Sequence, residues 1–371
     1  MLTGARRKSA WNKWRMKIGI IGCGKISGAY LECAPLFPAL EIVRCADMLP
    51  DRAAARAAEF GVPRSGTVGD LLADAEVELV INLTIPAAHA EVNRAILRSG
   101  KHVFCEKPFA LSRAEAARLL ALAARRTLRI GSAPDTFLGE SHQTCRRLID
   151  GGAIGEIVAA TAFMACHGPE HWHPNPEFYY QPGGGPMFDM GPYYLTALVN
   201  MMGPMVKVTG FAKQAFKERY ATAGGLPGTR FDVTIPTHIA GEVEFANGAI
   251  ATVIMSFDVW QHHLPMLQVH GTTGSLDVPD PNTTHGIPRI YKPENKAWKD
   301  VPLTYPAIYQ TEYGRGVGVA DMAEAILAGR PHRANGEVAL HVVEAMAAFV
   351  ESAETGRAIK LRTSCERPEP R

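Results

Sequence analysis

Lys17-Ile18-Gly19-Ile20-Ile21-Gly22-Cys23-Gly24-Lys25-Ile26-Ser27-Gly28 is the stretch on which the fold turns. Its first five residues form an apolar run with little alternation, the pattern of a strand buried on both faces. Gly22-x-Gly24-x-x-Ser27 follows, and then helix-forming sequence to about Leu36. Strand, glycine turn and helix in that order are the context in which such a motif marks a dinucleotide site. Gly22 permits the tight turn, and Gly24 lets the backbone approach a pyrophosphate at the helix N-terminus. Ser27 stands where a third glycine is usual, with Gly28 beside it to relieve the helix–strand contact.

The alternation continues outward. Glu41 to Ala46 reads as a second strand that ends at Asp47. Pro50 to Phe60 is an alanine-rich helix, with proline at its start and Gly61 past its end. Leu79 to Leu83 is a strand, Ala87 to Ser99 a helix, and His102 to Cys105 a strand that delivers Lys107. Ser112 and Glu115 form a capping box ahead of a helix through Arg125, and Leu128 to Gly131 closes the series. Strands alternating with helices at this spacing predict an α/β domain with a doubly wound parallel sheet. Ligands of such sheets bind off the carboxyl ends of the strands, where Asp47 and Lys107 lie. Asp47 follows Gly22 by 25 residues. An acid there bonds the ribose hydroxyls of NAD and repels a 2′-phosphate, so NAD is expected over NADP. Alone, Asp47 would read equally as a solvated turn residue.

From Glu156 the pattern changes to strands without intervening helices. They run over Glu156 to Met164, Val206 to Phe216, Thr237 to Phe245, Ala249 to Asp258 and Met266 to His270. Ala246-Asn247-Gly248 is a hairpin turn, and a mostly antiparallel sheet is expected. Gly191 to Met202 reads as a helix with Tyr193 near its start. Late helices over Val319 to Leu327 and Val338 to Thr355 pack on this sheet or return to the first domain. Between the strands lies the proline-rich run His167 to Pro176, of a length that is more often functional than ornamental. Glu170, His171 and His173 lack the further ligands of a closed zinc set, so no metal is expected.

The chain has 371 residues, enough for about two domains. A net charge of +2 gives no case for a nucleic-acid partner. No apolar stretch approaches the roughly 20 residues that span a bilayer. Seven cysteines without a C-x-x-C pair read as reduced thiols in a cytoplasmic protein. Residues 1–15 are basic, carry Trp11 and Trp14, and lack a signal-peptide core. They read as a flexible extension, with an arm onto a neighbouring subunit as the sharper alternative.

Two further stretches narrow the class: Glu106-Lys107-Pro108, and Gly183-Gly184-Gly185-Pro186-Met187-Phe188-Asp189-Met190-Gly191-Pro192-Tyr193. With the Gly22 turn and Asn82-Leu83-Thr84-Ile85-Pro86, they make the chain from Met16 to about Arg362 resemble the Gfo/Idh/MocA oxidoreductases. This is the family of glucose–fructose oxidoreductase and inositol 2-dehydrogenase. The resemblance implies an NAD-binding Rossmann domain over 16–136 and a substrate-binding α/β domain over 137–362 with an open, mostly antiparallel sheet. A loose tail over 363–371 would follow. It implies hydride transfer between nicotinamide and a secondary hydroxyl of a sugar, sugar derivative or cyclitol, in a homodimer or homotetramer.

The family's catalytic lysine matches Lys107 and its aspartate matches Asp189. Four residues on, where histidine is common, stands Tyr193. Cofactor contacts are expected from Gly22, Gly24, Lys25, Ile26, Asp47, Thr84, Pro86, His89, Glu106 and Lys107. Substrate contacts are expected from Lys107, Asp135, His171, Trp172, His173, Asp189 and Tyr193. Trp172 would stack on a sugar face or else plug the core. Lys107–Pro108 is expected to be cis. Oxidising an alcohol needs a group to take the hydroxyl proton, and a lysine near a cationic nicotinamide has its pKa lowered by desolvation and like charge. Tyr193 does the same work if a nearby lysine favours its phenolate, so either is a candidate proton carrier. Two other readings fit the motifs: a glycoside-cleaving enzyme that works through a transient keto-sugar, and an NAD(P)-sensing regulator without catalysis.

Overall fold

The computed structural model describes residues 15–222, 227–309 and 313–371, so nearly all of the basic extension over 1–15 lies outside the described residues. The chain forms two compact units. One runs to Leu138 and takes in Ile308–Ala339; the other comprises Gly139–Ala307 and Leu340–Arg371.

The first unit is built as β1 (Met16–Ile21), α1 (Lys25–Cys33), β2 (Leu40–Ala46), α2 (Pro50–Phe60), β3 (Arg64–Gly66) and α3 (Val68–Ala73). There follow β4 (Leu79–Asn82), α4 (His89–Arg98), β5 (His102–Cys105), α5 (Arg113–Arg125) and β6 (Ile130–Ser132). All six strands are parallel, in the order β3-β2-β1-β4-β5-β6. The order reverses between β1 and β4, which opens a crevice at the carboxyl ends of those strands. Ile18, Ile20, Leu79, Ile81 and Phe104 fill the interior of the sheet. The late helix Val317–Ala328 supplies Val319, Met322 and Ala323 to the same core, so it returns to this unit. β3 and α3 were not anticipated. α3 is too short to show a period, and it is held by a reciprocal Thr67–Asp70 cap.

The second unit begins with α6 (Glu140–Asp150), β7 (Ile157–Ala165), α7 (Gly185–Asp189), α8 (Gly191–Met202) and β8 (Met205–Lys213). A two-stranded ribbon of β9 (Glu218–Tyr220) and β10 (Arg230–Asp232) stands apart. β11 (His238–Phe245), β12 (Ile250–Ser256), β13 (Leu267–Gly271), β14 (Gly274–Val278), β15 (Arg289–Tyr291), β16 (Trp298–Asp300) and β17 (Ile359–Lys360) follow. The nine-stranded sheet runs β16-β15-β14-β13-β7-β12-β11-β8-β17. It is antiparallel except where β7 pairs in parallel with β12, from Ala159 opposite Ile250 to Ala165 opposite Ser256. The Asn247 hairpin joins β11 to β12, and the Thr272–Thr273 turn joins β13 to β14. Every residue of α8 is buried.

α6 was not anticipated, because its sequence looks like a surface segment. Yet Glu140, Ser141, His142, Gln143, Thr144 and Arg146 are all buried. Several of their polar groups are paired within the fold: Ser141 Oγ donates to Thr284 O at 2.7 Å, and His142 Nε2 to Thr283 O at 3.1 Å, while His142 Nδ1 makes no hydrogen bond. Arg146 also corrects the expectation of a loose tail. Its Nη1 donates to Pro368 O at 2.7 Å and Asn200 O at 2.8 Å, while Arg367 Nε donates to Asn200 O at 2.8 Å. A buried guanidinium needs acceptors, and the Pro368 and Asn200 carbonyls serve this one. Among the described residues, no helix is long and apolar enough to cross a membrane.

Burial pushes His142, His332 and His341 down from 6.5 to about 4. For His341 the geometry agrees, since its Nε2 accepts from Met205 N–H at 2.9 Å and must be unprotonated. These pKa values lie below that of the unfolded chain, so the unfolded state binds more protons as pH falls below about 6.5. Stability is therefore full above that pH and is lost on the way to about pH 4. The melting temperature is expected to drop between neutral pH and about pH 5; a flat or rising profile in calorimetry would contradict this.

Candidate functional site

Gly22 must be glycine on two counts. Its φ is +98°, and a Cβ there would stand 2.7 Å from the Leu83 carbonyl carbon and oxygen. Its N–H donates to Ala46 O at 2.9 Å, which fixes the turn over the end of β2. The next amide, Cys23 N–H, donates to Asp47 Oδ2 at 2.8 Å, and Leu49 N–H donates to Oδ1 at 3.0 Å. Asp47 is thus held beside the turn, with lone pairs left over for further donors. Gly24 is the N-cap of α1, and a Cβ on it would meet nothing within 4 Å. The space beside this helix start is open, as a pyrophosphate would require. Ser27 explains how the motif does without its third glycine. It is buried, and its Oγ donates to Gly24 O at 2.7 Å, so the hydroxyl is satisfied within the turn. Lys25 and Ile26 open α1, the first exposed and the second partly buried.

β4 and β5 end against this turn. Asn82 Oδ1 accepts from Thr84 N–H at 3.1 Å and Thr84 Oγ1 at 2.7 Å, while its Nδ2 donates to Asn93 at 2.8 Å. Glu106 N–H donates to Asn82 O at 2.9 Å. The Glu106 carboxylate is buried and accepts from Tyr30 Oη at 2.9 Å and Lys107 N–H at 2.9 Å. The Lys107–Pro108 peptide is cis, as expected, and so is Ala133–Pro134. His89 is buried rather than exposed at its helix start. Its Nδ1 faces Pro108 O at 2.7 Å and its Nε2 faces Thr84 O at 2.9 Å. A neutral ring can donate to only one carbonyl. Burial holds its pKa below the ordinary value, and the two carbonyls oppose that shift. The His89 ring thus fills the space between the Thr84 carbonyl and the Lys107 loop, bonded to one side at a time.

Asp135 sits apart from its expected role. It is 1% exposed, and its Oδ2 accepts from Gly318 N–H at 2.8 Å and Gly316 N–H at 3.3 Å, at the start of the helix Val317–Ala328. It caps that helix instead of presenting a free carboxylate, and burial raises its pKa.

In the second unit the glycine run bends the chain sharply before α7. A Cβ on Gly184 would lie 2.6 Å from the carbonyl oxygens of Phe178 and Tyr179, and Gly185 has φ +79°. Asp189 ends α7, and Tyr193 lies in the first turn of α8, with its N–H donating to Met190 O at 3.0 Å. The side chain of Tyr193 is mostly buried and that of Asp189 partly so. Loop 166–184 carries an aromatic patch. His173 meets Trp172, Phe178 and Tyr179 edge-on at centroid distances of 5.4, 5.3 and 5.1 Å. Trp172 is 52% exposed, so it is not a core plug. His171 is exposed.

The structure thus gathers Gly22, Gly24, Asp47, Thr84, His89, Glu106 and Lys107 at the carboxyl edge of the parallel sheet. Asp189 and Tyr193 are grouped in the second unit at α7–α8, and His171, Trp172 and His173 on its loop. Sequence reasoning missed Tyr30, Asn82 and Asn93, which brace Glu106 and Thr84. Asn82 lies inside a stretch already singled out. Tyr30 shows no signal beyond its place in the first helix.

Comparison with known proteins gives two domain matches. Residues 16–133 match the model for the oxidoreductase family with an NAD-binding Rossmann fold, and residues 142–277 match the GFO/IDH/MocA C-terminal domain. The 1,5-anhydro-D-fructose reductase of Ensifer adhaerens is 26% identical over 95% of this chain and 99% of its own length. A D-xylose 1-dehydrogenase (NADP(+)) of Haloferax volcanii is 27% identical over 93% of this chain and 100% of its own. Levoglucosan dehydrogenase in complex with NADH and L-sorbose shares the fold, with a TM-score of 0.80 at 19% identity over 94% of this chain and 99% of that one.

Proposed function

Because the chain belongs to the Gfo/Idh/MocA oxidoreductase family, we propose that it uses NAD to transfer a hydride to or from a secondary hydroxyl carbon of a sugar, sugar derivative or cyclitol. The observation that carries this reading is the joined carboxyl edge of the first sheet. There Cys23 N–H joins the glycine turn to Asp47, and Asn82 joins Thr84 to Glu106 and Lys107; the two groups meet where Leu83 N–H donates to Ile21 O at 2.8 Å. A nicotinamide dinucleotide, when bound, supplies the hydride acceptor or donor. The chain's own residues do the rest. Gly24 and the start of α1 receive the pyrophosphate, and Asp47 receives the ribose hydroxyls. The amides of Cys23 and Leu49 orient the Asp47 carboxylate for NAD and leave its charge to repel a 2′-phosphate.

Lys107 and Tyr193 are the candidate carriers of the hydroxyl proton, and Asp189 is the candidate to orient that hydroxyl. Glu106 anchors the Lys107 loop through Tyr30. The relatives named above act on anhydrosugars and aldoses, which sets the substrate class to try first. The test is reduction of NAD and NADP, followed by absorbance, across inositols, aldoses, anhydrosugars and glycosides. Net NADH with at least one polyol, and NAD favoured over NADP, is the expected result. Glycoside cleavage with catalytic NAD and no net NADH would replace this reading with the keto-sugar route. Failure to reduce either cofactor with any polyol would point to a regulator.

A further inference from the structure

Arg219 has no place in the mechanism above. It lies in β9 and is 5% exposed. Its Nη1 donates to His167 O at 3.0 Å and to Glu170 Oε1, and its Nη2 donates to Phe257 O at 2.9 Å and to Asp258 Oδ1. The other oxygen of Glu170 accepts from Tyr180 Oη, and the other oxygen of Asp258 accepts from Thr237 Oγ1 at 2.6 Å. The guanidinium also covers the rings of Phe216 at 4.7 Å and Tyr180 at 5.5 Å. One buried cation therefore ties down the beginning of loop 166–184 at His167 and Glu170. Through Glu170 and Tyr180 it also ties down the far part of the loop. At the same time it binds the turn that leaves β12. Two carboxylates buried this close would repel each other without it. A lysine could not replace it, because four acceptors on two sides call for a planar fork of donors.

From this geometry we infer that Arg219 is the positioning residue of loop 166–184, holding His171, Trp172 and His173 in the arrangement that receives the substrate. The inference rests on the proposed reading of that loop as a substrate loop. Asp258 sits two residues before Trp260, so the same clamp sets a second aromatic side chain. Trp260 stacks on His167 at a centroid distance of 3.3 Å and an interplanar angle of 15°, and is itself 80% exposed. The clamp thus joins two exposed aromatic groups that belong to different segments.

Arg219→Met strands both carboxylates and risks failure to fold, so the test uses Glu170→Gln and Arg219→Lys. Glu170→Gln keeps the shape and removes one charge pair. For both variants, KM for the best polyol is expected to rise about tenfold or more while kcat changes by less than about threefold. NADH binding, read by its fluorescence, should stay within about twofold of the parent. Limited proteolysis within 166–184 should become faster, and more so for Arg219→Lys, which loses the fork, than for Glu170→Gln, which loses one charge pair. Unchanged KM with unchanged cleavage would overturn the inference. So would a loss of NADH affinity in step with KM, which would mark a general structural defect. If the parent turns over no polyol, the substrate reading fails, and the cleavage rate by itself still decides whether Arg219 holds the loop.

Discussion

Lys107→Met is expected to lower kcat by about two to four orders of magnitude, the usual worth of a positioned acid or base. Lys107 follows β5, and its backbone is held on both sides. Its N–H donates to Glu106 Oε2 at 2.9 Å, and the next carbonyl, Pro108 O, lies 2.7 Å from His89 Nδ1. These two bonds are made by main-chain atoms, so NADH affinity and melting temperature are expected to fall far less than kcat. Such a split, with chemistry lost and cofactor binding kept, separates a catalytic lysine from a lysine that merely anchors phosphate. Tyr193→Phe decides the remaining choice. If Tyr193 carries the proton, the phenylalanine variant loses activity as severely as Lys107→Met. If Lys107 does, the variant keeps most of kcat and its pH–rate limb. Near-normal turnover by Lys107→Met would remove the lysine from the mechanism altogether.

The second large effect is a contrast between two glycines of one turn. Gly22→Ala places a methyl 2.7 Å from the Leu83 carbonyl at φ +98°. The strain alone costs about 1–3 kcal/mol, and the backbone clash forces β1 and β4 apart where the crevice opens. Both melting temperature and NADH binding should fall, with binding weakened by about a hundredfold or more once the turn is displaced. Gly24→Ala meets nothing of the protein within 4 Å, so its stability should match the parent. Its methyl would occupy the space left for the pyrophosphate, and NADH binding should still be lost. Thermal melts with and without NADH check both. An undiminished NADH-dependent rise in melting temperature for Gly24→Ala would show that the pyrophosphate lies elsewhere.

What the sequence disclosed followed from how local each signal was. α2 and β5 have the bounds expected from their proline, glycine and apolar runs, and α8 is read to the residue. The glycine turn was legible because its constraint is a backbone conformation that few residues adopt. β14, β15 and β16 were not legible, since none carries a continuous apolar run like that of β5. The parallel pairing of β7 with β12 is a property of the sheet that neither strand advertises. Asp135 looked like a ligand because the amides it caps lie 181 and 183 residues away. Arg219 was invisible for the same reason, its carboxylate partners standing 49 and 39 residues off. Long-range partners, whether charged groups or backbone amides, leave no mark on local spacing.

The proposed reaction is hydride transfer between a sugar or cyclitol carbon and nicotinamide. The most direct measurement is transfer of deuterium from a polyol deuterated at its carbinol carbons to the nicotinamide ring of NAD, followed by NMR. Deuterium is expected at one face of the ring with the wild-type protein, and about a hundredfold or more less with Lys107→Met. Reduced nicotinamide without deuterium, or none from any polyol while NADH still binds, would contradict it.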